Sequence, residues 1–212
     1  MYVVKKLRSI VAFIVFGALS FSVAAQSMNF SIENYNSVTD ERLINPEDHN
    51  WLSYRGTLDG WGYSSLDEIS ASNVSDLEPV WSFSTGVLGG HESPPIVNDG
   101  VMFITTPGNL LYAIDAASGD LLWRYQHDLP ATYIAFHRTN RGVALYGDKV
   151  YMATLDARVI ALDAATGEKV WDKAVQDNSF GYYITMAPLA VDGKIMVGTS
   201  GGELGIRGFV VA

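Results

Sequence analysis

The sequence predicts an all-β protein, a β-propeller of four-stranded antiparallel blades. The first observation is a repeat: Ala113-Ile-Asp-Ala-Ala-Ser-Gly-Asp-Leu-Leu-Trp123 recurs as Ala161-Leu-Asp-Ala-Ala-Thr-Gly-Glu-Lys-Val-Trp171, with the two aspartates 163 − 115 = 48 residues apart. A period of that size marks stacked or radial modules. The second is a succession of short apolar runs joined by Asn/Asp-Gly turns, with no helical periodicity to compete. The third is composition: 48% hydrophobic residues, five Trp and eleven Tyr supply a β-rich core.

Taken in order, the chain begins with a targeting pattern at residues 1–25. Lys5, Lys6 and Arg8 precede an apolar run from Ile10 to Val23 and a small-residue cleavage site at Val23-Ala-Ala25. The run is shorter than the ~20 apolar residues of a membrane span, so it reads as a cleaved signal peptide for export to a bacterial periplasm, leaving no membrane span. Residues 26–50 are polar with little periodicity and read as an extended leader. Residues 51–212 read as the N-terminal part of the propeller.

Within that part each module repeats one plan. The first strand is Pro95-Ile-Val, Val143-Ala-Leu-Tyr or Pro188-Leu-Ala-Val, followed by a turn at Asn98-Asp-Gly, Gly147-Asp-Lys or Asp192-Gly-Lys. The second begins at Val101, Val150 or Ile195, and the third at Leu110, Val159 or Phe209. An Asp–Gly turn then leads to a strand carrying Trp123 or Trp171, and Trp81 holds the same phase 42 residues before Trp123 (123 − 81). In the turn, Asp accepts backbone N–H groups, Gly119 or Gly167 takes the positive-φ position, and Trp offers a large apolar surface to a neighbour. The third module stops at Ala212, which holds the phase of Ala113 and Ala161. The sequence therefore reads as the front of a longer protein, whose open strand edges would leave this part fragile alone.

The alternating direction of strands sorts the connections onto two faces. Turns after first and third strands fall on one face, and they are all short. Loops after second and fourth strands fall on the other, and they are irregular: Ser84–Glu92, Ala131–Gly142, Phe180–Thr185 and Ser200–Gly208. From the Asp of the hairpin turn to the last alanine the third module has 212 − 192 = 20 positions, against 161 − 148 = 13 in the second. Loops that depart from a repeat are where function is usually placed, so these insertions locate a site at one end of the central channel. There, Glu203 sits in glycine-rich backbone open to close approach of a ligand. A hard cation takes roughly six to eight oxygen ligands, so one glutamate is a partial site. Arg138, Arg141 and Arg207 offer forks for carboxylates, and Ser200, Thr185 and nearby Gly N–H groups offer hydrogen bonds to a polar planar ligand, with Glu92 accepting from it. His91 and His137 lack zinc-type spacing and read as structural. No nucleophile elbow, phosphate loop or dinucleotide fingerprint is present.

Charge and cysteine count bound the rest. The formal net charge is −9, and −12 once the three basic residues of the signal are removed (−9 − 3). Such a surface repels nucleic acid and suits a basic protein partner. With no cysteine there is no disulfide, thiolate metal site or covalent haem attachment in these residues.

On Trp81–Glu92, Asn140-Arg-Gly142, Ala187-Pro-Leu189, Ser200–Phe209 and the Ala-x-Asp-x-x-(Ser/Thr)-Gly-x-x-x-Trp repeats, the chain from about Trp51 to Ala212 resembles the pyrroloquinoline quinone (PQQ)-dependent alcohol dehydrogenases, the methanol/ethanol dehydrogenase family of periplasmic quinoproteins. The resemblance implies an eight-bladed propeller, of which about three blades are present, with the Trp repeats docking neighbouring blades. It implies PQQ at the channel mouth beside Ca²⁺ or a lanthanide ion. Glu203 matches the family's metal-ligand glutamate, and Glu92, Arg141, Thr185, Ser200, Gly201 and Gly202 match its cofactor contacts. A small primary alcohol would be oxidised to an aldehyde by hydride transfer to the quinone, with electrons passed to a c-type cytochrome; a homodimer is compatible with this. The catalytic aspartate base is expected beyond residue 212, so residues 1–212 alone would not turn over substrate. Ala135 and Phe136 stand where many relatives carry adjacent bridged cysteines. The competing reading is a non-catalytic periplasmic propeller that serves as a protein-assembly scaffold, which gives no reason for the Ser-Gly-Gly-Glu loop.

Overall fold

Each module forms a sheet for the same local reasons. The structure, a computed structural model, describes residues 32–212, so the signal peptide and the first residues of the leader lie outside the described residues. The first blade contains β1 (Ile96–Asn98), β2 (Val101–Thr106), β3 (Leu110–Asp115) and β4 (Leu121–Gln126), antiparallel in the order β1-β2-β3-β4. The second contains β5 (Val143–Tyr146), β6 (Lys149–Ala153), β7 (Arg158–Asp163) and β8 (Lys169–Ala174) in the equivalent order. The third has β9 (Leu189–Val191), β10 (Lys194–Gly198) and β11 (Val210–Val211), with β10 central. The fold is a partial propeller of antiparallel blades, and none of the three sheets closes on itself.

The repeat extends to fine detail. Ala113 pairs with Trp123 and Ala161 with Trp171, and a register shift follows at Ala113/Ile114 and again at Ala161/Leu162. The extra residue tightens the twist of the outer strand just where the turn begins. In that turn the Asp115 carboxylate accepts from the N–H groups of Ala117 (2.9 Å) and Ser118 (2.8 Å). Asp163 does the same for Ala165 (3.0 Å) and Thr166 (2.9 Å).

Tryptophans join the blades. Trp123 of the first blade donates through Nε1 to the Ala164 carbonyl of the second at 3.1 Å, and Trp81 donates to the equivalent Ala116 carbonyl at 3.1 Å. Phe103 packs on Trp123 and Tyr151 on Trp171 at ring separations of 5.8 and 5.7 Å, so the aromatic pair also recurs at 151 − 103 = 48 residues. Trp81 performs its docking from irregular chain rather than from a strand.

The expectation of a merely extended leader falls short of what residues 32–50 do. They run as a strap across the turn face. Thr39 caps the short helix α1 (Asp40–Ile44). Val38 bridges Gly147, Asp40 accepts from the Asp192 N–H (2.7 Å) and the Tyr146 hydroxyl (2.7 Å), and Ile32 donates to the Ala165 carbonyl (2.9 Å). Val38, Leu43 and Leu52 are buried in the main core with Phe103, Leu145 and Ile160. This segment reads poorly as a sequence because its hydrophobic residues are isolated, each filling a gap between turns rather than following a period.

Candidate functional site

The loops of the opposite face meet, and each is fixed by backbone before its side chains matter. Asn140 is buried and saturated: its Oδ1 accepts from the Thr105 hydroxyl (2.8 Å) and the Gly142 N–H (3.0 Å), while its Nδ2 donates to the Ala153 carbonyl (2.9 Å) and Asn109 Oδ1 (3.2 Å). One amide therefore ties both complete blades together and holds the next residue, Arg141, at the rim. The Arg141 N–H also donates to the Thr185 carbonyl at 2.9 Å, stitching this loop to the third blade.

The third-blade loops are joined by close backbone approach. Tyr183 and Ser200 exchange main-chain hydrogen bonds, Tyr183 N–H to Ser200 at 3.3 Å and Ser200 N–H to Tyr183 at 2.7 Å. Gly201 has φ +119°, and a Cβ there would lie 2.1 Å from the Gly181 carbonyl oxygen. The glycines are expected to admit a ligand; for Gly201 the close neighbour is the chain itself, whereas Gly202 opens onto free space. From Gly202 a single 3-10 turn, Gly202–Leu204, presents Glu203.

The result is a cavity of about 620 Å³ lined by Arg141, Thr185, Ser200, Gly201, Gly202 and Glu203, together with Tyr183, Phe136 and His137. Six of the seven residues that the family resemblance assigns to cofactor and cation line it. The seventh, Glu92, lines an adjoining cavity of about 390 Å³, with Arg138 and with the same Phe136 and His137. Glu92 still reaches the group, pairing with the Arg141 guanidinium at 2.9 Å. Arg141 also donates to Thr185 Oγ1 (2.7 Å), which lies 3.4 Å from Ser200 Oγ. Arg207 is outside this lining, and His91 is engaged by Thr85 and the Gly89 carbonyl.

Sequence reasoning passed over Tyr183. Its hydroxyl donates to Glu203 Oε1. Burial and that hydrogen bond push the Tyr183 phenol up to about 12. The same hydrogen bond, then a backbone one, and His137 nearby hold the Glu203 carboxyl below its usual range, despite opposing desolvation. A signal existed in the alternation of Tyr183 and Thr185, which puts both on one side of extended chain. Asn140 belongs to the Asn140-Arg-Gly142 motif, but its role as a hub arises only where the blades pack.

Chemically, the arrangement offers the Glu203 carboxylate facing a cavity, a guanidinium on the same lining paired with Glu92, two hydroxyls and exposed glycine backbone. Such groups could hold a planar, oxygen-rich anionic ligand, and Glu203 could give one oxygen to a hard cation, which takes roughly six to eight. Among the described residues no cluster of three or more His, Cys, Asp or Glu could hold a metal ion. No helix among them is long and apolar enough to cross a membrane.

Comparison with known proteins agrees with this architecture. The family described as PQQ, glucose/ethanol/alcohol dehydrogenase, beta-propeller domain, matches residues 51–203. The chain is 40% identical over 177 residues to the quinoprotein alcohol dehydrogenase PedH of Pseudomonas putida, covering 82% of this chain and 30% of that protein. It is 43% identical over 165 residues to the quinohemoprotein alcohol dehydrogenase ADH IIB of Pseudomonas putida, covering 76% and 24%. Among solved structures it superposes on a europium-containing methanol dehydrogenase with a TM-score of 0.76 at 38% identity, covering 80% of this chain and 31% of that one. The chain thus spans less than a third of the length of these relatives. With its repeats, its partial propeller and its rim accounted for, the chain belongs to the β-propeller family of PQQ-dependent glucose, ethanol and alcohol dehydrogenases.

Proposed function

We propose that this chain forms the cofactor-holding rim of a periplasmic PQQ-dependent dehydrogenase that oxidises primary alcohols to aldehydes and passes electrons to a c-type cytochrome. The observation that carries the reading is the continuous polar chain Glu92–Arg141–Thr185–Ser200 ending beside Glu203 at one cavity. Supporting it, a relative 39% identical over 166 residues is named 1-butanol dehydrogenase (cytochrome c). When bound, PQQ would accept hydride from the alcohol while an adjacent Ca²⁺ or lanthanide ion polarises its carbonyl.

The residues of this chain bind and orient. Arg141 donates its guanidinium to the ligand's oxygens, and Glu92 balances that charge from the far side. Thr185 and Ser200 hydrogen-bond the polar edge, Gly202 lets it lie against backbone that the Gly201–Gly181 approach holds in place, and Glu203 gives a carboxylate oxygen to the cation. No residue of this chain is proposed as the base that takes the alcohol proton. The targeting pattern at residues 1–25 supports export, and mass spectrometry of the purified protein should find Gln26 as its N-terminus.

The test uses the protein at its full natural length. Glu203→Ala should abolish cation-dependent PQQ binding and dye-linked alcohol oxidation while the far-ultraviolet dichroism stays that of wild type. Full activity in that variant would rule out the cation assignment.

A further inference from the structure

We propose that Tyr183 is the positioning residue for Glu203, its hydroxyl holding the carboxylate turned toward the cation; this rests on the reading of the cavity as a quinone and cation berth. The need arises from where Glu203 sits. It lies on a single 3-10 turn between Gly201 and Gly205, both in the left-handed region, and its side chain is exposed. A glutamate on such a turn has several rotatable bonds and little packing, so free rotation would carry its carboxylate away from the cavity.

Tyr183 removes that freedom because it has none itself. It is 2% exposed, its main chain is bonded in both directions to Ser200, and its phenol edge reaches the cavity wall. A ring held this way delivers its hydroxyl to a fixed point, and that point is Glu203 Oε1. The Gly181–Gly201 approach that brings the two loops together has no room for a side chain on residue 201, so the distance from phenol to carboxylate is set by backbone.

Two effects on cation affinity oppose each other. A hydrogen bond to Oε1 draws charge from the carboxylate, weakening it as a ligand. The same bond orders the side chain in advance, so less freedom is lost when the cation binds. Loss of partners that orient a metal ligand typically weakens affinity about 10–100-fold, so ordering outweighs the lost charge.

The experiment titrates Ca²⁺ and Eu³⁺ separately into the full-length protein with PQQ, and compares wild type, Glu203→Gln and Tyr183→Phe by calorimetry. The phenylalanine keeps the buried ring and removes the hydroxyl. The expected result is cation binding in wild type, loss in Glu203→Gln, and a dissociation constant raised about tenfold or more in Tyr183→Phe, with the melting temperature of its cation-free form unchanged. Wild-type affinity in Tyr183→Phe, with Glu203→Gln still defective, overturns the positioning role and leaves the cavity's reading intact. A weakened affinity matched by a lower cation-free melting temperature overturns it too, because packing would then explain the loss. Absence of cation binding in wild type removes the underlying reading along with it.

Discussion

Gly167 answers two demands at once, and so does Gly119. Each closes its turn at positive φ, +74° and +79°, and a Cβ on each would lie 2.7 Å and 2.6 Å from the indole of Trp123 and Trp81. The Asp–Gly turn was legible in sequence from its composition, and so was the tryptophan. That the glycine is also the floor on which the preceding blade's tryptophan lies was not, because the two are 44 residues apart (167 − 123). Gly167→Ala is therefore expected to cost about 2–4 kcal/mol, combining backbone strain with overpacking. Chemical denaturation should show it as a lowered midpoint, and a variant as stable as wild type would mean that Trp123 moves aside freely.

The strap is the element that sequence reading undervalued. Arg42 holds it: the guanidinium grips both oxygens of Glu47 (2.8 and 3.0 Å), donates to Asn98 Oδ1 (2.9 Å), and meets the carbonyls of Asn36 (3.2 Å) and Ser37 (3.1 Å). That grip, helped by Asn50, lowers the Glu47 carboxyl from an ordinary 4.5 to about 2. A depressed carboxyl contributes stability that is fully present above its unfolded value and is lost as pH falls through its folded one. The strap should therefore loosen between about pH 4.5 and pH 2. Because Glu47 is partly exposed, solvent screens the pair and the step is small. Arg42→Ala should remove this acid step from the stability profile and cost about 1–3 kcal/mol at neutral pH by taking the Arg42 donor from the Oδ1 of buried Asn98. Thermal melts across that pH range would check both. A profile unchanged in shape by Arg42→Ala would assign the acid sensitivity elsewhere.

At the scale of the molecule the question is what keeps the blades in register so that their loops share one rim. Trp123 ties the first blade to the second near the turn face. At the opposite end, His127 meets the Asp156 carboxylate (2.9 Å), and Asn140 joins Thr105, Asn109 and Ala153. Burial works against the Asp156 charge, but hydrogen bonds from His127 and Thr154 keep its carboxyl below the usual range. Asn140→Ala would strand buried partners, each costing about 1–3 kcal/mol, and would release Arg141. Both the melting temperature and PQQ affinity should fall. Retained PQQ affinity in a destabilised variant would show that Thr185 alone fixes Arg141.

The sequence by itself determined the blade. Local hydrogen bonds of the Asp–Gly turn, alternation along each strand and the 48-residue recurrence of tryptophan are short-range demands, written where they act. It also sorted the loops to their faces, since strand direction alternates whatever the side chains are. Only the tertiary structure decided the packed strap, the Asn140 hub, the backbone contact that makes Gly201 obligatory, and the partnership of Tyr183 with Glu203. Each of these joins residues distant in the chain through geometry that no local pattern encodes, because the blades must first pack before such groups can meet.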